Sequence, residues 1–141
     1  MAPNAIVVAN NLASLITTYR DDEESLERAY SLARRLRGSD VAPFQDTYGW
    51  IAYRRGDFEE ARDHLEPAAV ALGDDPIVQY HLGMTYRALG RNADALAQLN
   101  RALELIGPDE TRPQFESARA EIAEIEAEMT ESEGDDGAEG E

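Results

Sequence analysis

Residues 45–75 read QDTYGWIAYRRGDFEEARDHLEPAAVALGDD, and residues 79–109, placed 34 positions further on, read QYHLGMTYRALGRNADALAQLNRALELIGPD. Eight aligned positions are identical, where average composition would give roughly two. The identical pairs are Gln45/Gln79, Gly49/Gly83, Gly56/Gly90, Ala61/Ala95, Leu65/Leu99, Ala68/Ala102, Gly73/Gly107 and Asp75/Asp109. This internal repeat decides the fold, because a fixed period of this size is typical of stacked structural units.

Each copy of the repeat contains two helical patterns. In the first, apolar residues recur at helical spacing and stop at Gly56, which can end a helix because glycine adopts a positive φ without strain. The second begins near Asp57 and is broken by Gly-Asp-Asp-Pro at residues 73–76. Small residues would let the two backbones approach closely: Gly49, Ala61 and Ala68, then Gly83, Ala95 and Ala102. The repeat therefore predicts stacked antiparallel helix hairpins.

This spacing resembles the tetratricopeptide repeat (TPR), whose outline is W-x2-L-G-x2-Y, then A-x3-F and A, then a Pro. Tyr48-Gly49 and Leu82-Gly83 match the L-G step, and the second helices match at Ala61, Leu65 and Ala68 and at Ala95, Leu99 and Ala102. The chain departs from the outline at Gln45 and Gln79, where Trp is usual. The resemblance implies an all-α, right-handed α-solenoid.

An upstream copy of the repeat is less regular. Leu12-Ala13 resembles the L-G step, and Leu12 precedes Ala29 by 17 residues, against 13 from Tyr48 to Ala61. We therefore expect a turn about four residues longer, held within residues 19–24. The resemblance implies three hairpins, over residues 3–40, 42–75 and 76–109, in a TPR domain of residues 3–129. The sequence is similar to the C-terminal repeats of longer bacterial TPR proteins.

The end of the chain changes character after the repeats. A last helix is predicted over residues 112–129, with Pro113 in its first turn and a stripe of Phe115, Ala118, Ile122, Ile125 and Met129. We expect this helix to cap the last repeat. Residues 130–141 read TESEGDDGAEGE, with one Ala as the only apolar side chain, so we expect a disordered acidic tail.

Charge and composition narrow the classes of partner. The 141 residues hold 29 Asp and Glu against 13 basic residues, all of them Arg, for a net charge of −16. Like-charge repulsion argues against nucleic acid and against an anionic membrane as partners. No apolar run approaches the ~18 residues of a membrane span, and residues 1–10 lack the cationic start of a signal peptide. We expect a soluble chain, cytoplasmic by default, and periplasmic if it is a piece of an exported protein.

Catalytic and cofactor chemistry finds no support in the sequence. There is no Cys, and the two imidazoles, His64 and His81, lie on different helix types in different repeats. We expect His81 to pack at the edge of a groove. No Gly-rich phosphate loop and no EF-hand spacing occurs. We therefore expect no enzyme activity, no cofactor and no metal.

The TPR resemblance also implies a partner-binding surface. In this family the first helix of each repeat lines a concave wall, and the ligand-facing positions of the three copies correspond to Asn10, Ser14, Asp46, Trp50, Tyr53, Arg54, Tyr80, Met84 and Arg87. Large aromatic residues and Arg are typical of binding surfaces, and Arg54 and Arg87 can each bind a carboxylate. We expect a non-catalytic scaffold that holds a peptide or helix of a protein partner in this groove.

Two alternative functions stay open. The chain can be a structural terminal segment of a longer TPR solenoid whose groove is empty, with Trp50 and Met84 filling space between neighbouring first helices. It can also self-associate, because the first helix begins with apolar residues that no preceding hairpin covers, namely Ile6, Val7 and Val8.

Overall fold

The computed structural model of the chain describes residues 3–139, which form seven α-helices and one short 3-10 helix. The α-helices are α1 (Pro3–Tyr19), α2 (Glu23–Ala33), α3 (Ala42–Arg54), α4 (Phe58–Ala71), α5 (Pro76–Ala88), α6 (Asn92–Leu105) and α7 (Pro113–Glu139), and the 3-10 helix is Arg34–Leu36. Helices α1 and α2, α3 and α4, and α5 and α6 pack as pairs, and α7 packs on the last pair. The expected all-α repeat solenoid is confirmed.

A glycine in the first helix of the second and third hairpins brings the two helices into contact. A Cβ atom on Gly49 would lie 2.6 Å from Leu65 Cγ, and one on Gly83 would lie 2.7 Å from Leu99 Cδ2. Carbon atoms in contact are normally about 3.5–4.0 Å apart, so neither position has room for a side chain. The small and branched residues that pack here are fully buried: Ala61, Leu65, Ala68, Ala95, Leu99 and Ala102.

Helices α3 and α5 end in the same way. Gly56 has φ +88° and Gly90 has φ +79°, in the left-handed region that glycine adopts without strain. At the first of these ends, Gly56 N donates to Tyr53 O (2.9 Å) and Asp57 N donates to Ala52 O (2.9 Å). This pair of bonds is a Schellman motif, and it satisfies carbonyls that the helix end would leave free. The predicted helix end at Gly56 is confirmed.

The extra residues of the first hairpin lie in its helices, so the expected longer turn was wrong. Three residues connect α1 to α2, and three also connect α3 to α4. Most of the insertion forms an added first turn of α2. The Asp22 carboxylate accepts a hydrogen bond from Ser25 N (2.9 Å), and Glu23 and Glu24 follow it in the first turn. A capping residue and negative charge at a helix N-terminus both favour helix over turn.

Helix α7 covers the end of the solenoid with the predicted apolar stripe. Phe115, Ala118, Ile122 and Ile125 are buried in one cluster with residues of α4, α5 and α6, and Met129 packs partly against it. The helix continues to Glu139, whereas we expected it to end at residue 129 and give way to a disordered tail. No Pro follows Pro113, and adding a residue to an existing helix costs far less than starting one. Residues 140–141 of the expected tail lie outside the described residues.

Within residues 3–139, no helix combines the length and the apolar character needed to cross a membrane.

A side chain at Gly83 should destabilise the protein. Gly83→Ala would place its Cβ 2.7 Å from Leu99 Cδ2 and 3.2 Å from the Leu99 backbone nitrogen, so rotation of the leucine side chain alone cannot make room. We expect a loss of about 1–3 kcal/mol in the free energy of unfolding, measured by urea denaturation. Gly107→Ala is the control, because nothing lies within 4 Å of its added Cβ. Equal stability of the two variants would contradict the close approach.

The two parts of α7 should differ in their contribution to stability. Ile122→Ala removes a buried side chain, so we expect a loss of roughly 2–4 kcal/mol. Deletion of residues 130–141 removes Ala138 as its only apolar residue, so the melting temperature should change by less than about 2 °C. Calorimetry of both variants tests this difference, and similar losses would show that the acidic part of the helix also stabilises the fold.

Candidate functional site

The first helices of the three hairpins and the start of α7 surround a groove of about 630 Å³. Helix α1 contributes its last turns, α3 its middle and end, α5 its first turns, and α7 residues 113–117. Five of the nine predicted binding residues line this groove: Ser14, Asp46, Trp50, Arg54 and Tyr80. The structure thus brings these five together, whereas the other four predicted residues lie elsewhere and several lining residues were not predicted.

Trp50 is held in an aromatic stack that joins α3 to α5. Its ring lies 4.5 Å from that of Tyr53 and 4.1 Å from that of His81, with interplanar angles of 6° and 16°. Tyr80 packs against it at 5.8 Å in a tilted arrangement. Because both stacked neighbours cover the indole faces, a ligand in the groove can contact mainly the indole edge. Trp50 thus fills space between neighbouring first helices and also lines the groove.

Asp46 and His81 form a polar pair at the base of the groove. Nδ1 of His81 lies 2.8 Å from Oδ1 of Asp46, and the two side chains are 10% and 16% exposed. The bond joins α3 to α5 and leaves Asp46 less available to a ligand than we expected. His81 lines the groove and packs, as its sequence position indicated, but its partner is 35 residues away and no sequence pattern predicted the pair.

Arg54 lies where α3 approaches the end of α1. Its Nη1 donates to the backbone oxygen of Thr17 (3.0 Å), and its Nη2 lies 3.5 Å from the backbone oxygen of Arg20. Thr17 lies in the last turn of α1, where carbonyls lack helical donors, and Arg20 directly follows the helix. Arg54 therefore caps α1 while its guanidinium faces the groove.

Arg87, a predicted ligand contact, instead binds α7 and is not among the residues that line the groove. Its guanidinium donates to the Glu128 carboxylate (2.7 and 2.8 Å), to Glu121 (3.2 Å) and to Asn92 (3.0 Å). The hydrogen bond to Glu128 raises the pKa of Arg87, and the same bond lowers the pKa of Glu128. The two glutamates are 34 and 41 residues away, on a helix that we assigned only a capping role.

The other three predicted residues also lie outside the lining of the groove. The side-chain amide of Asn10 donates a hydrogen bond to Asn11 Oδ1 (3.3 Å). The Tyr53 ring stacks on Trp50, and Met84 packs against the buried core. All three lie on first helices. The Oδ1 atom of Asn10 is buried and has no hydrogen-bond partner among the described residues.

Gln114 and Ser117 at the start of α7 line the groove but were not predicted. They lie 37 positions after Ile77 and Tyr80, which line the groove from α5. Extending the pattern of groove-facing positions from α5 into the last helix would have predicted both residues. Burial raises the pKa of the Tyr80 hydroxyl, and the neighbouring Ser117 side chain opposes that shift. The side-chain oxygen of Gln114 is buried and has no hydrogen-bond partner among the described residues.

Metal binding has no support in the described part of the chain. No group of three or more His, Asp or Glu side chains there is arranged to hold an ion.

Reversing the charge of Arg87 should loosen α7. In Arg87→Glu the carboxylates of α7 would face another carboxylate, so we expect roughly tenfold faster hydrogen exchange of α7 amides at neutral pH. Adding Glu128→Arg should restore much of the protection, because it recreates the pair with the charges exchanged. Arg119→Glu, an exposed residue of α7, is the control.

The same pair should make α7 sensitive to acid. The pKa of Glu128 is lowered in the folded protein, so the pair of Glu128 with Arg87 stabilises α7 fully at pH values above 4.5, the ordinary pKa of a glutamate. This stabilisation is lost as the pH falls through the lowered pKa of Glu128. Unchanged exchange in Arg87→Glu would show that the apolar stripe alone holds α7.

The comparisons with known proteins agree with this geometry. A family model described as the tetratricopeptide repeat matches residues 44–67 and 76–101, which fall on α3–α4 and α5–α6. No curated protein matches the chain by sequence.

Solved structures with a similar fold cover most of the chain. The type III secretion translocator chaperone SycD of Yersinia enterocolitica has a TM-score of 0.72 at 18% identity, covering 92% of this chain and 89% of SycD. SycD in complex with a peptide of the translocator YopD has a TM-score of 0.69 at 17% identity, covering 91% and 97%. TTC0263, a thermophilic TPR protein of Thermus thermophilus, has a TM-score of 0.55 at 26% identity, covering 86% and 61%. The two matched segments are tetratricopeptide repeats, and the fold of the described residues is that of TPR proteins.

Proposed function

We propose that this chain is a non-catalytic interaction module that binds a peptide or helix of a partner protein in the groove formed by α1, α3, α5 and α7. The groove itself carries the proposal. Its volume of about 630 Å³ falls within the range of roughly 300–1,000 Å³ that is typical of ligand sites. Its lining combines the edge of Trp50 with hydroxyl groups of α1, such as Ser14 and Thr18, which suit the mixed chemistry of a peptide.

A protein of similar fold supports this proposal. The SycD structure with a YopD peptide covers 91% of this chain, so a helical array of this shape can hold a peptide. At 17% identity the likeness concerns the fold, and the partner of this chain is to be found by experiment.

The proposal includes no catalysis. Asp46 and His81 bond to one another between α3 and α5, which gives them a role in packing. Proteins of similar fold include a chaperone, SycD, and a TPR protein, TTC0263.

Peptide selection tests the proposed site. A library of random 12-residue peptides displayed on phage is selected against the immobilised protein, and a recovered peptide is measured by fluorescence anisotropy. Ser14→Trp should lower its affinity at least tenfold, because the indole would project into the groove from an exposed position. Ser31→Trp is the matched control, since Ser31 is an exposed residue of α2 outside the groove lining. Failure to recover any peptide, or equal affinity of both variants, would reject the groove as the site.

Self-association through α1 is a second candidate, and the exposure of its apolar residues favours it. Val8 is 61% exposed and Leu15 is 56% exposed. The residues 36 positions later, Phe44 and Ile51, pack in the core beside α2. Helix α1 thus exposes an apolar face to solvent. The equivalent face of α3, in the next hairpin, is buried against the preceding helix α2. In the alternative of a longer solenoid, a preceding hairpin would cover this same face.

Sedimentation tests self-association. We expect the average mass to rise with protein concentration, and Leu15→Glu to abolish the rise because it places a charge on the shared face. Arg28→Glu on α2 is a control for an altered surface charge, since Arg28 is exposed. A monomer at all concentrations would reject this candidate and leave the proposal for the groove unaffected.

A further inference from the structure

Exposed apolar surface is concentrated on α1. Among the described residues, six large apolar side chains are exposed, and four of them lie on this helix: Val7, Val8, Leu15 and Tyr19. Within residues 3–139, α1 is also the one α-helix that contains no charged residue. In a chain with a net charge of −16, the α1 surface is therefore where a second copy can approach with the least repulsion.

Three of these side chains lie along one side of α1, because they are spaced by seven and four residues: Val8, Leu15 and Tyr19. The residues 36 positions later, on α3, face the preceding hairpin. Phe44 and Ile51 pack in the core cluster that includes residues of α1 and α2. The Arg55 guanidinium lies 3.6 Å from the centre of the Tyr30 ring on α2. This side of the helix, the α1 face, thus corresponds to a side of α3 that packs on other helices.

Helix α7 limits how a second copy can use the α1 face. It covers the opposite end of the stack, where four of its side chains are buried with residues of α4, α5 and α6: Phe115, Ala118, Ile122 and Ile125. A second copy therefore cannot continue the solenoid by placing its last hairpin on α1. Two copies can instead pair about a two-fold axis, with each contributing its α1 face.

Tyr19 belongs to the α1 face and also to the groove. It is the last residue of α1, it is 77% exposed, and it lines the groove beside Thr18. Val7, Val8 and Leu15 are not among the lining residues. Tyr19 is therefore the exposed apolar residue of α1 that a peptide in the groove and a second copy can both contact.

We propose that the peptide and a second copy compete for Tyr19, so that peptide binding in the groove weakens self-association. The inference rests on the proposed function, since it requires a peptide in the groove, and on pairing through α1. A contact made by one helix of each copy is small, so each large side chain contributes much of its affinity. A tyrosine ring that packs against the peptide is withdrawn from that contact. Because coupling between two binding events is reciprocal, self-association must in turn weaken peptide binding.

Sedimentation with and without peptide tests the competition. A peptide selected on the protein is added at saturating concentration to a dilution series of the wild-type protein. We expect it to raise the dissociation constant for self-association at least about fivefold. In Tyr19→Ala the effect should fall below about twofold, because the shared side chain is absent. Val8→Ala is the matched control: it shortens a side chain of the α1 face outside the groove lining, so the effect of the peptide should remain.

A labelled peptide provides a second measurement, which does not need self-association of Tyr19→Ala. Val8→Glu places a charge on the α1 face about 16 Å along the helix from Tyr19, so it should prevent pairing without touching the groove. At concentrations where the wild type self-associates, fluorescence anisotropy should show about fivefold tighter binding of the peptide to Val8→Glu. At dilution, where both proteins are monomers, their affinities should be equal. Circular dichroism checks the folding of each variant.

The outcomes separate this inference from the proposals on which it rests. If the peptide binds and the copies associate, but the peptide leaves self-association unchanged or strengthens it, the competition is wrong and both proposals stand. An equal effect of the peptide in wild type and Tyr19→Ala, or its loss in Val8→Ala, would show that Tyr19 is not the shared contact. If the wild type is a monomer at every concentration, self-association fails and the competition fails with it, while peptide binding stands. If selection yields no peptide, the proposed function fails, and so does the competition.

Discussion

The architecture depends on two contacts between a glycine and a leucine. Gly49 meets Leu65 and Gly83 meets Leu99 at distances that exclude even one methyl group. Close contact of the two helices in each hairpin fixes how α3 and α5 rotate about their axes. That rotation decides which residues enter the core and which line the concave wall. The groove is therefore a consequence of packing on the opposite side of the same helices.

Residues that line the groove also hold the neighbouring hairpins together. Asp46 and Trp50 both line the groove, yet each also joins α3 to α5, through a hydrogen bond and through aromatic stacking. A short solenoid has few residues with which to hold neighbouring repeats together, so its groove residues contribute to that task. The contacts among its own lining residues therefore hold the groove in shape without a ligand.

Helix α7 occupies the place that the first helix of a further repeat would take. Its apolar stripe packs on the preceding hairpin, and Gln114 and Ser117 extend the concave wall. Arg87 binds the acidic side of this helix through Glu121 and Glu128. The terminal helix thus closes the core and also supplies the last stretch of the groove wall.

The sequence by itself determined the helical repeat, the glycines that bring helices together and the helix end at Gly56, because these depend on residue spacing within one hairpin. Because the hairpin repeats, the same spacing also placed Ser14, Asp46, Trp50, Arg54 and Tyr80 on one wall. It could not determine that Arg87 is bound by α7, that His81 bonds to Asp46 or that α7 lines the groove. Those contacts join residues 34 to 41 positions apart on different elements, and no local pattern encodes them. The tertiary structure decided which side chains pair inside the protein, and hence which remain for a partner.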